Sequence, residues 1–211
     1  MKTKNLLLAS SLVISASLAL SFFAYPYLPS EIASHWSANG EVNGTMGKFW
    51  ESAFMPILMF FLAVLLLWIP TIDPKKENVA SFRKYYDGTI IGILVFLLYV
   101  HTITLAWNLG YRFDMTKAVV LPISLLWYLL GVILPKIKQN WFMGIRTPWT
   151  LENEKVWNDT HIFAGKLFRY SALVSLLGFL FPSYLFFFVL IPIIFSALAS
   201  VVYSYYSFKK I

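Results

Sequence analysis

Five stretches of the chain contain no Asp, Glu, Lys or Arg: Leu6 to Ala24, Ala53 to Ile69, Thr89 to Leu109, Ala118 to Leu134, and Tyr170 to Phe208. A helix crossing about 30 Å of hydrocarbon needs roughly 20 mostly apolar residues, so each of the first four predicts one membrane span. The fifth stretch is 39 residues long. As a single helix it would reach about 59 Å, too long for one crossing. Pro182-Ser183 divides it, which predicts a tight helical hairpin. The fifth span then takes in Lys166 and Arg169 near its end, where long cationic side chains can snorkel to headgroups. The pattern predicts an all-α integral membrane protein: one membrane domain over residues 1–211 with six transmembrane helices, at about 6–24, 53–69, 89–109, 118–134, 163–181 and 184–206. An outer loop (25–52) and an inner loop (135–162) are the two long connections.

Composition agrees. Hydrophobic residues make up 59% of the chain and charged residues 13%, about half the charge of a soluble domain. A soluble enzyme, a disordered chain and a nucleic-acid-binding domain are poor fits. The net charge of +7 takes its meaning from sidedness. With the N-terminus inside, the inner segments hold 14 Lys and Arg and the outer segments 3. That asymmetry follows the positive-inside rule and predicts both termini in the cytoplasm. The inside then carries +8 and the outside −1. The basic balance is an orientation signal; membrane lipids, not nucleic acid, are the implied partners. A cleaved signal peptide is the other reading of the first span, with a basic start at Met1 to Asn5 and a cleavage site at Ala19-Leu20-Ser21, but its apolar stretch is long for that role. There is no cysteine, which removes disulfides, thiolate metal sites and Cys nucleophiles.

The outer loop opens with Pro26 and Pro29, which stop the first helix. It carries two Asn-Gly pairs, Asn39-Gly40 and Asn43-Gly44, the preferred dipeptide of tight type I′ turns. A small ordered extracytoplasmic element with β-like pairing or paired turns is expected. Glu31, Glu41 and Glu51 against Lys48 make the loop acidic, suited to cationic or apolar peptides. Glu31, His35, Trp36, Asn39 and Gly40 are its candidate ligand contacts, with Trp36 and Trp50 also readable as interface aromatics. His35 with Glu31 and Glu41 is too few ligands, at a spacing that matches no metal motif. No metal and no cofactor are expected.

The inner loop reads Asn140-Trp141-Phe142-Met143-Gly144-Ile145-Arg146-Thr147-Pro148-Trp149-Thr150-Leu151, an ordered turn. Gly144 permits a tight backbone, Pro148 keeps Thr147 extended, and Thr150 is read as an N-cap with Glu152 and Glu154 in the first helical turn. Val156, Thr160, Phe163, Ala164 and Leu167 then form a helical stripe, read as a helix along the headgroups before the fifth span. The candidate motif residues are Asn140, Gly144, Arg146, Thr147, Pro148, Trp149 and Trp157. Arg146 suits a phosphate, a carboxylate or a partner protein, whereas Trp141, Trp149 and Trp157 also suit an aromatic belt. In the third span, His101, Thr104 and Asn108 share one helix face. Such groups face the bundle interior, either as a proton or substrate path or as interhelical hydrogen bonds. Gly165 and Gly178 are read as helix packing positions. No catalytic motif is present, and no catalytic residue is assigned.

The two loops together resemble the SdpI family of bacterial membrane proteins. The outer stretch Leu28-Pro29-Ser30-Glu31-Ile32-Ala33-Ser34-His35-Trp36 through Gly40 is similar to the family's N-terminal domain of unknown function. The inner string Gly144-Ile145-Arg146-Thr147-Pro148-Trp149-Thr150-Leu151, with Trp157 after it, is similar to its C-terminal signature and is the more specific match. The resemblance implies a non-enzymatic role in the bacterial cell membrane. Its parts would be immunity against a secreted, membrane-active toxin peptide, met on the outer side, and signalling by holding a cytoplasmic transcriptional repressor at the membrane. The alternatives are a small-molecule or lipid transporter or flippase, motivated by the polar face of the third span, and a membrane-embedded hydrolase using Arg146, Asp159 and His161.

Overall fold

The computed structural model describes residues 3–211; Lys2, counted among the basic residues of the first inner segment, lies outside them. Helix α1 spans Thr3–Ala24, strands β1 and β2 span Glu31–Trp36 and Val42–Gly47, and α2 spans Lys48–Ile72. The rest is helical: α3 (Lys76–Ser81), α4 (Arg83–Asn108), α5 (Met115–Ile133), α6 (Pro148–Glu152), α7 (Glu154–Leu177) and α8 (Leu185–Phe208). Six of these helices are long and apolar enough to cross a membrane. The chain divides into two compact units, Met1–Leu66 with Ile90–Pro122, and Leu67–Thr89 with Ile123–Ile211.

Side-chain burial in α1 and α8 runs opposite to that of a soluble protein. On α1 the buried face is Leu6, Ser10, Ser17, Ser21 and Ala24, while Leu8, Leu12, Phe22 and Phe23 are exposed. On α8, Ser196, Ser200 and Ser204 are fully buried, while Ile191, Phe195, Leu198 and Val202 are exposed. Lipid tails are as apolar as leucine, so helices in a membrane associate through small residues and hydrogen bonds. The serines close backbone distances and bond across the α7–α8 pair: Ser171 Oγ lies 2.5 Å from Ser196 Oγ and donates to the Pro192 carbonyl at 2.9 Å. Phe163 stacks on Tyr203 at 4.2 Å between the same helices.

The helices outrun the charge-free stretches and take charged residues into their ends. α4 begins six residues before Thr89, at Arg83, whose Nε donates to the buried Asp87 one turn later at 2.6 Å. α2 takes Lys48 and Glu51 into its first turns. α7 is a single helix from Glu154 to Leu177. The stripe expected to lie on headgroups is packed into protein, with Val156, Thr160 and Ala164 buried. Gly165 does not break α7, because it is where α5 crosses: a Cβ there would come within 2.7 Å of the Gly131 carbonyl. Gly178 lies just past α7, in the first of two 3-10 turns (Gly178–Leu180 and Pro182–Tyr184) that close the hairpin to α8. A Cβ there would meet Phe188 Cβ at 2.7 Å.

In the first unit, β1 and β2 form an antiparallel hairpin. Only Asn39-Gly40 makes its turn: Gly40 has φ +79, its N–H donates to the Ser37 carbonyl, and the Ser37 N–H donates to that of Glu41. Asn43-Gly44 lies inside β2, opposite an irregularity at His35. A side chain at 44 would touch His35 Cβ at 3.0 Å, so glycine there serves close strand approach.

Candidate functional site

The motif loop of the second unit is built around side chains that satisfy backbone groups. Asn140 is almost fully buried. Its Oδ1 accepts from the Phe142 and Met143 amides at 2.9 and 2.7 Å. Its Nδ2 donates to the Lys138 and Met143 carbonyls, both at 2.9 Å. One amide side chain therefore holds the whole 138–143 turn. Gly144 follows with φ +113, and a Cβ there would run into His161 Nε2 and lie 3.2 Å from Trp157. The Ile145 N–H instead donates to His161 Nε2 at 3.0 Å, and His161 Nδ1 lies 2.7 Å from the Trp157 carbonyl. A carbonyl can only accept and an amide can only donate, so His161 is a neutral imidazole with its hydrogen on Nδ1. The Trp157 ring is fully buried, stacks on His161 at 4.1 Å, and donates from Nε1 to the Ile137 carbonyl at 2.8 Å.

Thr147, not Thr150, is the N-cap. Its side chain accepts from the Thr150 amide while the Thr150 hydroxyl accepts from the Thr147 amide, a reciprocal capping box around the short α6. Pro148 stands at the first helical position, where a missing N–H costs nothing. The next cap is Asn153, whose side chain accepts from the Lys155 and Val156 amides at the start of α7. Thr147 Oγ1 also lies 3.0 Å from Ser204 Oγ on α8.

A second layer, absent from the sequence reading, fastens this loop to the segment before α3. Asp73 is buried; its carboxylate accepts from the Lys75 amide at 2.7 Å and from the Trp141 amide at 3.0 Å. Gln139 accepts from the Lys75 ammonium, donates to the Thr150 and Leu151 carbonyls, and receives Asn78 Nδ2 on its backbone oxygen. One signal was available: Asp73 is an acid at the entry to a segment that holds Lys75, Lys76, Arg83 and Lys84.

Arg146, Trp141 and Pro148 remain outward. Arg146 is exposed and uses one Nη to donate to the Trp141 carbonyl at 2.7 Å, and Trp141 is itself exposed. Trp149 is half-buried, tilted against Tyr205 of α8. An aromatic belt of Trp141, Trp149 and Trp157 is not formed, because Trp157 is sealed inside the loop to stack on His161. Of the hydrolase grouping of Arg146, Asp159 and His161, the histidine has both nitrogens engaged by the backbone, at the Ile145 amide and the Trp157 carbonyl.

In the first unit, the polar face of α4 ties the fold together. His101 Nε2 lies 2.8 Å from Ser21 Oγ of α1, and that hydroxyl donates to the Ser52 carbonyl of α2 at 2.7 Å. Thr104 is buried, and its carbonyl accepts from Asn108 Nδ2. Asn108 also clamps β1, donating to the Ala33 carbonyl and accepting from its amide, both at 2.9 Å. All three residues expected on one face are there, and His101 and Asn108 make hydrogen bonds between elements. Ala24, Leu28, Ile32 and Leu105 form the apolar cluster beneath the hairpin.

The hairpin leaves Glu31 and His35 exposed, with Glu31 accepting from Thr45 Oγ1 at 2.9 Å and His35 Nδ1 2.5 Å from Asn43 Oδ1. Trp36 packs edge-on against Trp107 at 5.5 Å, and the Arg112 guanidinium covers Trp107 at 3.6 Å. Trp107 and Arg112 were missed because they lie far from the loop in sequence. Asn39 is exposed at the turn. Among the described residues no group of three His, Asp or Glu side chains converges as a metal site. An open apolar cleft of about 780 Å³ lies beside the start of α2, lined by Leu18, Phe22, Tyr25, Tyr27, Phe49 and Ala53 among others.

Comparison with known proteins follows this division. Residues 136–204 match the SdpI/YfhL protein family, a span running from the end of α5 through the motif loop to Ser204, the hydrogen-bond partner of Thr147. The chain also aligns with Immunity protein SdpI of Bacillus subtilis (strain 168) at 26% identity over 209 residues, covering 99% of this chain and 97% of that protein. The chain thus resembles the SdpI/YfhL family over the motif loop and the helices that hold it. Residues 12–60 match a domain of unknown function, DUF1648, which takes in most of α1, the hairpin and the first half of α2. No solved structure matches the chain. With six helices long and apolar enough to span, this is a multi-pass protein of a bacterial membrane.

Proposed function

We propose that this protein is a non-enzymatic immunity protein that protects its cell from a secreted, membrane-active toxin peptide. The observation that carries the reading is the end-to-end alignment with a protein named for immunity. The N- and C-termini are cytoplasmic, so the hairpin faces the outside, where the toxin arrives, and the motif loop faces the cytoplasm. On the hairpin side, Glu31 and His35 are exposed to polar and cationic groups of a peptide, and the apolar cleft beside α2 suits its hydrophobic residues. On the motif side, exposed Arg146 and Trp141 offer a planar cation beside an aromatic ring, a pairing common at protein interfaces. We assign that surface to a cytoplasmic repressor held at the membrane.

Expression in a toxin-sensitive host tests immunity directly: cells carrying the protein survive, and unchanged killing despite membrane insertion overturns the claim. For signalling, Arg146→Ala abolishes repressor recruitment while insertion and thermal stability stay at the parental level; normal recruitment by that variant removes the role.

A further inference from the structure

Arg169 lies past the midpoint of α7, inside the fifth spanning segment, Glu154–Leu180. Its aliphatic stem fills the α5–α7 crossing: a Cβ on Gly131 would stand 2.8 Å from Arg169 Cγ. A guanidinium has five N–H donors. Nε donates to the Gly165 carbonyl one turn back at 3.1 Å, and no other protein partner exists among the described residues. Neither α5 nor α8 contains an acidic residue, and α7 has none after Asp159. A charged side chain in a span with no protein counter-charge is costly unless something outside the chain supplies one.

Two more cations flank the same crossing. Pro135 touches Gly165, so Lys136 stands beside it at the end of the fourth span, and Lys166 follows Gly165 directly on α7. Both are exposed. Gly131 lies only about 8 Å along the helix from Lys136, within reach of an extended arginine. We propose that the α5–α7 crossing binds the phosphate of an anionic phospholipid headgroup. Arg169 presents a planar fork that bonds phosphate oxygens in pairs, and Lys136 and Lys166 add flanking point charges. The fixed Nε bond to Gly165 orients that fork before the lipid arrives. Val132, Ile162 and Leu173, exposed on the same two helices, offer apolar surface for acyl chains, which a free phosphate ion would not use.

The test uses the purified full-length protein, followed by native mass spectrometry during titration with phosphatidylglycerol or phosphatidylcholine. The parental protein retains phosphatidylglycerol over phosphatidylcholine by about tenfold, and Arg169→Gln removes the preference. Because Arg169→Gln also empties a helix crossing, Lys136→Gln/Lys166→Gln is the decisive variant. It changes two exposed side chains and lowers phosphatidylglycerol retention by about fivefold or more. Equal retention of the two lipids by the parental protein, or unchanged retention in the double-lysine variant, overturns the proposal. Displacement of bound lipid by millimolar inorganic phosphate assigns the site to the free ion and overturns the lipid assignment.

Discussion

The hairpin and the motif loop are both short, irregular segments beside membrane helices, yet they are held in different ways. The hairpin is a backbone object: strand pairing and the Asn108 clamp on Ala33 fix it, and its side chains Glu31, His35 and Asn39 are left outside. The motif loop is a side-chain object. Asn140, Gln139, Asp73, Thr147, Thr150 and His161 turn inward and satisfy its amides and carbonyls. A backbone-held element tolerates change at most positions and displays variable chemistry. A side-chain-held element fixes its own sequence, because each inward residue leaves a buried partner unpaired when removed.

Glycine gives the sharpest contrast. Gly144→Ala must place a Cβ against His161 and Trp157 at a positive φ, and a loss of about 3 kcal/mol is expected from strain and overpacking together. Gly40→Ala, at a positive φ but with its nearest neighbour, Asp114, at 3.4 Å, should lose only about 1 kcal/mol. Thermal unfolding of the purified variants measures both, and equal losses would break the contrast. Next come the two asparagines. Asn140→Ala removes four hydrogen bonds from a buried turn and is expected to cost about 2–3 kcal/mol; Asn108→Ala, which releases β1 and the Thr104 carbonyl, should cost about 1–2 kcal/mol.

His161→Phe keeps the stacking with Trp157 but orphans the Ile145 amide, for an expected loss of about 1–2 kcal/mol. The readout is faster hydrogen exchange at Ile145, with the hairpin amides unchanged. Smallest in stability is Glu31→Gln/His35→Ala, two exposed substitutions that should stay within about 0.5 kcal/mol. On the proposed function, however, this pair lowers toxin resistance. A double variant that is both fully stable and fully resistant would take toxin contact away from the hairpin.

Much of the architecture was legible because its signals are local. Spans follow from charge-free runs, the break at Pro182 from a missing donor, and the hairpin turn from Asn39-Gly40. Arg146, Gly144 and Trp157 stood out by residue type and motif. The cap was misread by three residues because Thr147 and Thr150 are both good caps, and a reciprocal box uses both. The loop's true partners were hidden for a different reason. Asp73 and Lys75 lie more than sixty residues before Gln139 and Trp141, and nothing in the pattern of either segment points to the other.

The sequence by itself determined the solvent of each helix: with so few charges and such long apolar runs, six segments had to leave water. It also determined where the chain must turn, since proline and glycine act on their own backbone. Only the tertiary structure decided what the polar residues do. His101 could line a path or bond a neighbour, and Ser21 with the Ser52 carbonyl makes it a tie between helices. Trp157 could anchor at a headgroup, and the stacked His161 seals it inside instead. The reason is that a polar side chain in a membrane protein takes its role from the partner it finds, and that partner is set by helix packing across long sequence separations.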